Sequence, residues 1–139
     1  MDTAILSQML MKEESVRLKP YRDTVGKLTI GVGRNLDDKG ISMSEAMLML
    51  ANDVEGVQKE LDAALPWWRS LDEVRQLVLA DMCFNMGIAG LLTFKNTLAY
   101  IQSGNYEQAA KNMLLSKWHD QVGERADKLS QMMRTGVSA

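Results

Sequence analysis

The sequence predicts an α+β protein that is mostly α, and three observations carry the prediction. Apolar residues recur at helical spacing through most of the 139 residues. One short stretch, Leu28 to Gly33, instead alternates residue by residue as a strand does. Helix starts of the Ser, Thr and Asn type and stops of the Gly and Pro type follow one another at short intervals, the pattern of short helices with tight connections. A hydrophobic content of 46% over this length supports one domain with a real core and room for two lobes.

Taken in order, Ile5, Leu6, Met9, Leu10 and Val16 form one stripe, which predicts an N-terminal helix over residues 3–13 with a buried face. Glu13 has Arg17 four residues on, the order of a surface ion pair. Glu14 shares a row with Leu10 and Leu18, which makes it the more desolvated of the two neighbouring acids. Pro20 stops helical continuation, and Val25-Gly26 reads as a hairpin tip. Leu28, Ile30 and Val32 then share one strand face, with Thr29, Gly31 and Gly33 on the other. That second face suits either tight sheet packing or a ligand lying against the backbone. It lacks the long glycine loop and Lys-Ser/Thr of a phosphate loop. Residues 35–40 are a turn-rich link.

Ser42-Met-Ser-Glu45 has capping-box spacing and opens a helix to Leu65, with Met47, Leu50, Val54, Val57 and Leu61 on one face. Such a helix spans about 30 Å. Trp67-Trp68 offers a stacking platform or a core ring; neighbours on a turn do not share a face, which favours at least one ring in the core. Ser70-Leu-Asp-Glu73 is a second capping box, opening a nearly apolar helix through Leu71, Val74, Leu77, Val78, Ala80, Met82 and Phe84. In this central helix Cys83 reads as a small buried hydrophobe. Asn85-Met-Gly87 ends it, and Ile88–Leu92 forms one more turn. Thr93 caps the next helix, with Leu98, Tyr100 and Ile101 inward; Asn105 caps another, with Ala109, Ala110, Met113 and Leu114 inward. Ser116–Gln121 is short, and Gly123 separates it from a last helix over residues 124–133. The eleven methionines are assigned mostly to core packing.

Sixteen basic against eighteen acidic residues leave a net charge of −2, so no global field attracts nucleic acid. Any attraction to an anionic polymer is local: residues 1–40 carry seven Lys/Arg against six Asp/Glu, and residues 41–80 carry three against seven. A single cysteine forms no internal disulfide, which suits folding in a reducing compartment. One histidine provides no metal cluster, and no cofactor motif is present. The start has no basic n-region before an apolar run, and no window reaches the roughly 18 apolar residues of a membrane span. Neither a secretory signal nor membrane insertion is therefore expected.

The chemistry concentrates in Glu14-Ser-Val-Arg-Leu-Lys-Pro-Tyr-Arg-Asp23-Thr-Val-Gly-Lys-Leu-Thr29-Ile-Gly-Val-Gly33. Two carboxylates in different surroundings are what acid/base chemistry needs, since burial favours a protonated acid and a wetter, hydrogen-bonded site an ionised one. This segment resembles the catalytic region of the T-even type phage lysozymes, glycoside hydrolases of family 24 that cut peptidoglycan. Ser70-Leu-Asp-Glu-Val-Arg75, Asp81-Met-Cys-Phe-Asn-Met-Gly87 and Arg134-Thr-Gly136 continue the likeness in order, so that it covers most of the chain.

The resemblance implies a two-lobed lysozyme-like fold: a small β-hairpin lobe over about residues 14–45, a connecting helix over about 43–65, and a helical lobe over about 66–139 joined by the N-terminal helix. It implies hydrolysis of the β-1,4 bond between N-acetylmuramic acid and N-acetylglucosamine, with inversion. Glu14 would be the general acid, Asp23 the second carboxylate and Thr29 the water-positioning hydroxyl. Phe84, Asn85, Thr97, Asn112 and Trp118 match substrate-contacting positions or their neighbours, a wall that suits N-acetyl sugars, and Arg125 matches the arginine that pairs with the catalytic glutamate. Asn85 stands where the family has glutamine, a shorter amide expected to weaken the contact with Trp118. Arg34 replaces a histidine that pairs with an aspartate matched by Asp53, so an Arg34–Asp53 ion pair is expected. The family also implies a monomer that needs a holin to leave the host cytoplasm and reach the periplasm and wall. Three rival activities stand beside this one: a lytic transglycosylase on the same bond, a non-catalytic wall-binding protein, and, disfavoured by the apolar helix around Cys83, a peptidase built from Cys83 and His119.

Overall fold

The computed structural model describes residues 1–138. The chain divides into two compact units, Met1–Met49 and Leu50–Ala139, with the division inside the longest helix.

The first unit holds α1 (Thr3–Glu14), three short strands, β1 (Arg17–Arg22), β2 (Leu28–Gly31) and β3 (Arg34–Asn35), and the start of α2 (Met43–Ala64). Asp2 caps α1 by accepting from the Ala4 and Ile5 amides at 2.9 and 3.2 Å, which satisfies two of the otherwise unpaired donors of a helix start. The helix forms as the periodicity predicts, but none of its residues is buried. Among the described residues Glu13 has no ion-pair partner: the chain leaves the helix at Ser15, and Arg17 lies instead over the Tyr21 ring on β1. The sequence grouped this helix with the larger lobe; the compact unit that contains it is the first.

The sheet is antiparallel in the order β1-β2-β3. Tyr21 pairs with Thr29 and Arg22 with Leu28, and the ladder is irregular between Arg17 and Tyr21, where Pro20 has no amide to donate. Residues 24–26 form the hairpin tip as expected. The strand expected to run to Gly33 stops at Gly31, because Gly31 and Gly33 both take positive φ and turn the chain back into β3. β3 itself overlaps the link expected over residues 35–40 by one residue, Asn35. Beyond it, Asp37 accepts from the Leu28 amide at 2.7 Å, and Asn35 and Asp38 exchange two bonds, so side-chain carboxylates and amides complete what two strand residues cannot.

The Ser42 capping box is present in both directions: Ser42 N–H donates to Glu45 at 2.8 Å and the Glu45 amide to Ser42 Oγ at 3.2 Å. Arg34 donates to the same Glu45 oxygen at 2.8 Å and to the Gly40 carbonyl. Glu45 thus takes the place expected for Asp53 as the ion-pair partner of Arg34, because the turn at Gly40 brings the start of α2 against β3. Along α2 the expected buried face is buried only at Val57 and Leu61, while Met47, Leu50 and Val54 are exposed.

The second unit carries the core. After a 3-10 turn at Trp68–Ser70, α3 (Glu73–Leu92), α4 (Lys95–Gln102), α5 (Tyr106–Leu114), α6 (Lys117–Val122) and α7 (Glu124–Thr135) follow. α5 packs on α4 and α7, and α7 also on α3 and α6. Val78, Leu79 and Met82 of α3, Ile101 of α4, Met113 of α5 and Met133 of α7 are fully enclosed. Trp68 is the core ring of its pair, with its indole N–H on Asp62 at 2.7 Å. Asp72, not Ser70, caps α3; Ser70 belongs to the 3-10 turn and donates its hydroxyl to the Trp67 carbonyl. Gly87, at φ 78 and ψ 161, breaks α3 where the sequence places its end. Thr93 closes α3 by donating to the Gly90 carbonyl at 2.6 Å, so α4 starts without a side-chain cap. Asn105 caps α5 as predicted, and Leu114 stays half-exposed. Arg75 ties the two ends of the unit together: its guanidinium donates to the Met133 and Arg134 carbonyls and stacks 3.6 Å over Tyr106. No single helix among the described residues is long and apolar enough to cross a membrane.

Candidate active site

The candidate catalytic residues all lie in the first unit, on its β-hairpin and at the end of α1. Asp23 opens the turn between β1 and β2. Its Oδ1 accepts from the Val25 amide at 2.9 Å and the Lys27 amide at 2.8 Å, and its own amide donates to the Lys27 carbonyl at 2.9 Å. Among the described residues, Oδ2 receives no hydrogen bond. One carboxylate oxygen therefore fixes the group.

Thr29 is the one buried residue of the first unit. Its hydroxyl donates to the Lys27 carbonyl at 2.9 Å, which turns the oxygen lone pairs of Oγ1 away from that bond and keeps them as acceptors. Lys27 is thus the shared anchor of both groups: its amide holds Asp23 and its carbonyl holds Thr29. The Lys27 ammonium is itself held 3.1 Å from Asp38, and that hydrogen bond raises the amine above its ordinary range. Lys27 carries no distinguishing mark in the sequence, although an Asp five residues before a strand start is the spacing of such a turn.

Glu14 is the last helical residue of α1, and Ser15, which follows it, has φ 64 and ψ 166. This is a conformation that L side chains other than glycine rarely adopt. The apolar enclosure expected from the Leu10–Glu14–Leu18 row is not formed. The helix ends before Leu18, which is 86% exposed on β1, and Leu10 is 40% exposed. What does meet Glu14 is the β2–β3 turn: a Cβ built on Gly33 would fall 2.9 Å from Glu14 Oε2.

The expected substrate wall lies in the second unit and falls into two depressions. Thr97, Asn112 and Trp118 line one of about 480 Å³, together with Phe94, Lys95 and Lys117. Phe94 and Trp118 meet edge to face at 6.1 Å. Asn85 accepts from the Trp118 indole at 2.7 Å, so the shorter amide keeps the contact that was expected to weaken. Phe84 and Arg125 line a second, larger depression of about 960 Å³. There the Arg125 Nε and Nη2 both reach Asp81 Oδ1, at 2.8 and 2.7 Å, so Asp81 is the acid that engages this guanidinium. Lys95 and Lys117 went unmarked, since a lysine near a helix start looks like any solvated charge.

Cys83 is buried, and burial pushes its thiol up, with Glu60 adding to the effect; a nucleophilic thiolate needs the opposite. His119 is taken up by Asp127 at 2.8 Å. Among the described residues no group of three His, Cys, Asp or Glu could hold a metal ion.

The family model for phage lysozyme matches residues 11–134. Among individual proteins, the chain is 28% identical to probable T4-type lysozyme 1 of Dictyostelium discoideum, over 95% of each protein. It is 27% identical to the pre-baseplate central spike protein Gp5 of Enterobacteria phage T4, over 94% of this chain but only 28% of that protein. It is 26% identical to the SAR-endolysin of Escherichia phage Mu, over 85% of this chain and 68% of that protein.

Proposed function

The chain belongs to the phage lysozyme family, and from that premise we propose that it hydrolyses the β-1,4 bond between N-acetylmuramic acid and N-acetylglucosamine in peptidoglycan. Glycoside hydrolysis needs a proton for the departing oxygen and an activated water on the opposite face of the sugar. Glu14 donates that proton. Water is held between Asp23 Oδ2 and Thr29 Oγ1, both of which accept its hydrogens, so that its lone pair faces the anomeric carbon. As the new bond forms, Asp23 takes the proton that water releases, and the product is inverted.

The observation that carries this reading is the pairing of Asp23 and Thr29 on the two backbone groups of Lys27, which leaves one carboxylate oxygen and one hydroxyl oxygen free as acceptors. Phe84, Asn85, Thr97, Asn112, Trp118 and Arg125 bind the glycan and its acetamides in this scheme. The protein acts as a monomer at host lysis, released from the cytoplasm to the wall through a membrane opened by a holin. The similarity to a spike protein supports a second setting, in which the same unit is part of a particle. Detection of the chain in purified particles decides between the two settings.

The activity is tested by turbidity clearing of permeabilised Gram-negative cells with the wild type and Glu14→Gln, which removes only the proton donor. The wild type clears and the folded variant does not, with a loss of at least about 100-fold. Equal clearing by both removes Glu14 from the mechanism, and no clearing by either favours a wall-binding protein. Products with a free reducing end are expected; their absence would identify a transglycosylase.

A further inference from the structure

We propose that Gly33 is a positioning residue for the Glu14 carboxyl, a role that rests on the reading of Glu14 as proton donor. The geometry imposes two separate demands at Gly33. Its φ of +67 is a backbone conformation that side chains strain, and the space where a Cβ would stand is already filled: 2.9 Å from Glu14 Oε2, 3.1 Å from Cδ and 3.3 Å from Cγ. The other positive-φ glycines of the first unit meet only the first demand. At Gly26, Gly31 and Gly40 a Cβ would have nothing within 4 Å.

The carboxyl of Glu14 therefore lies along the bare backbone of the β2–β3 turn. Among the described residues the Glu14 carboxyl takes part in no side-chain hydrogen bond or salt bridge, and α1 stops at this residue, where Ser15 leads the chain away in an extended, positive-φ conformation. A methyl at Gly33 strikes the free end of a flexible side chain, not a rigid backbone. The carboxyl moves and the fold stays. Because a proton donor works only within hydrogen-bond reach of its acceptor, and a misplacement of about 1 Å costs roughly 100-fold in rate, the displacement is read in turnover and not in binding.

The experiment compares Gly33→Ala with Gly40→Ala in the full chain. Gly40, at φ +65, carries the same backbone penalty in the same unit without touching Glu14. Melting temperatures of the two variants should fall together. On soluble glycan oligomers, Gly33→Ala should lose at least about tenfold in kcat with KM nearly unchanged, while Gly40→Ala stays close to the wild type. The 13C chemical shift of the Glu14 carboxyl should move in Gly33→Ala alone, a readout independent of activity. Similar kcat values and similar Glu14 shifts in the two variants overturn the proposal. If Gly33→Ala does not fold, the double variant with Glu14→Ala decides. It recovers the stability of Gly40→Ala in the same background if the contact is the cause, and stays unfolded if it is not. Full activity of Glu14→Gln defeats the catalytic reading itself; an inactive Glu14→Gln beside a fully active Gly33→Ala defeats only the positioning role.

Discussion

The two compact units are held together by different physics. Residues 50–138 have an interior: Leu61, Val78, Leu79, Met82, Ile101, Met113 and Met133 are fully enclosed, and among the described residues no enclosed side-chain nitrogen or oxygen lacks a hydrogen-bond partner. Residues 1–49 bury one residue, Thr29, and depend on capping, turn and carboxylate hydrogen bonds around a three-stranded sheet. The methionines divide the same way. Met82, Met113, Met132 and Met133 are buried, whereas Met1, Met9, Met11, Met43, Met47 and Met49 are exposed. Core assignment by helical spacing therefore holds for these methionines of the second unit and fails for those of the first, while Leu50, Val54, Leu77, Phe84 and Leu114 of the second unit, also expected inward, are exposed. The unit with the weaker interior carries the proposed chemistry, in keeping with the tendency of catalytic groups to sit on turns where backbone amides can aim and hold them.

The strongest way to break this comparison is to remove one large apolar side chain from each unit. Leu79→Ala should cost about 2–5 kcal/mol in urea unfolding, since it leaves a cavity in a close-packed interior. Leu18→Ala on β1, largely exposed, should stay within about 0.5 kcal/mol. Comparable losses at both sites would mean that the first unit has a hidden apolar core. A smaller effect of opposite sign is expected at Ser15. Its conformation strains any side chain, so Ser15→Gly should raise stability by about 1 kcal/mol, the strain relieved being partly offset by the freer unfolded chain. A thermal melt that moves down instead would show that the Ser15 side chain is needed.

The smallest effect concerns pH. Glu45 is pulled down to about 2, chiefly by the Arg34 guanidinium and then by the amide and hydroxyl of Ser42. A carboxylate whose folded pKa is depressed stabilises the fold above its unfolded pKa of about 4.3 and loses that contribution as pH falls through the folded value. The difference in melting temperature between wild type and Glu45→Gln should therefore shrink as pH falls from about 5 to about 2. A constant difference across that window would remove the Arg34–Glu45–Ser42 junction as a stabilising element.

Local signals were read well where the groups concerned are close in sequence. The Ser42 capping box, the Asn105 cap, the hairpin tip and the break at Gly87 all stand where residue order places them, because each involves groups only a few positions apart. The family likeness also depends only on order, and it located Glu14, Asp23 and Thr29 in one segment. Two misreadings arose where local signals compete. Asp72 displaced Ser70 as a cap because a 3-10 turn consumed the serine, and Thr93 closed one helix and so did not open the next.

The sequence by itself determined the class of fold and nearly every helix, since periodicity and capping are written in neighbouring residues. Only the tertiary structure decided which partner each polar group takes: Glu45 for Arg34, Asp81 for Arg125, Lys27 for both Asp23 and Thr29, and the bare backbone of Gly33 for Glu14. Several acids within reach along the chain are equivalent as letters. The turn that brings one of them to within 3 Å is what separates them, and that turn is a property of the folded backbone.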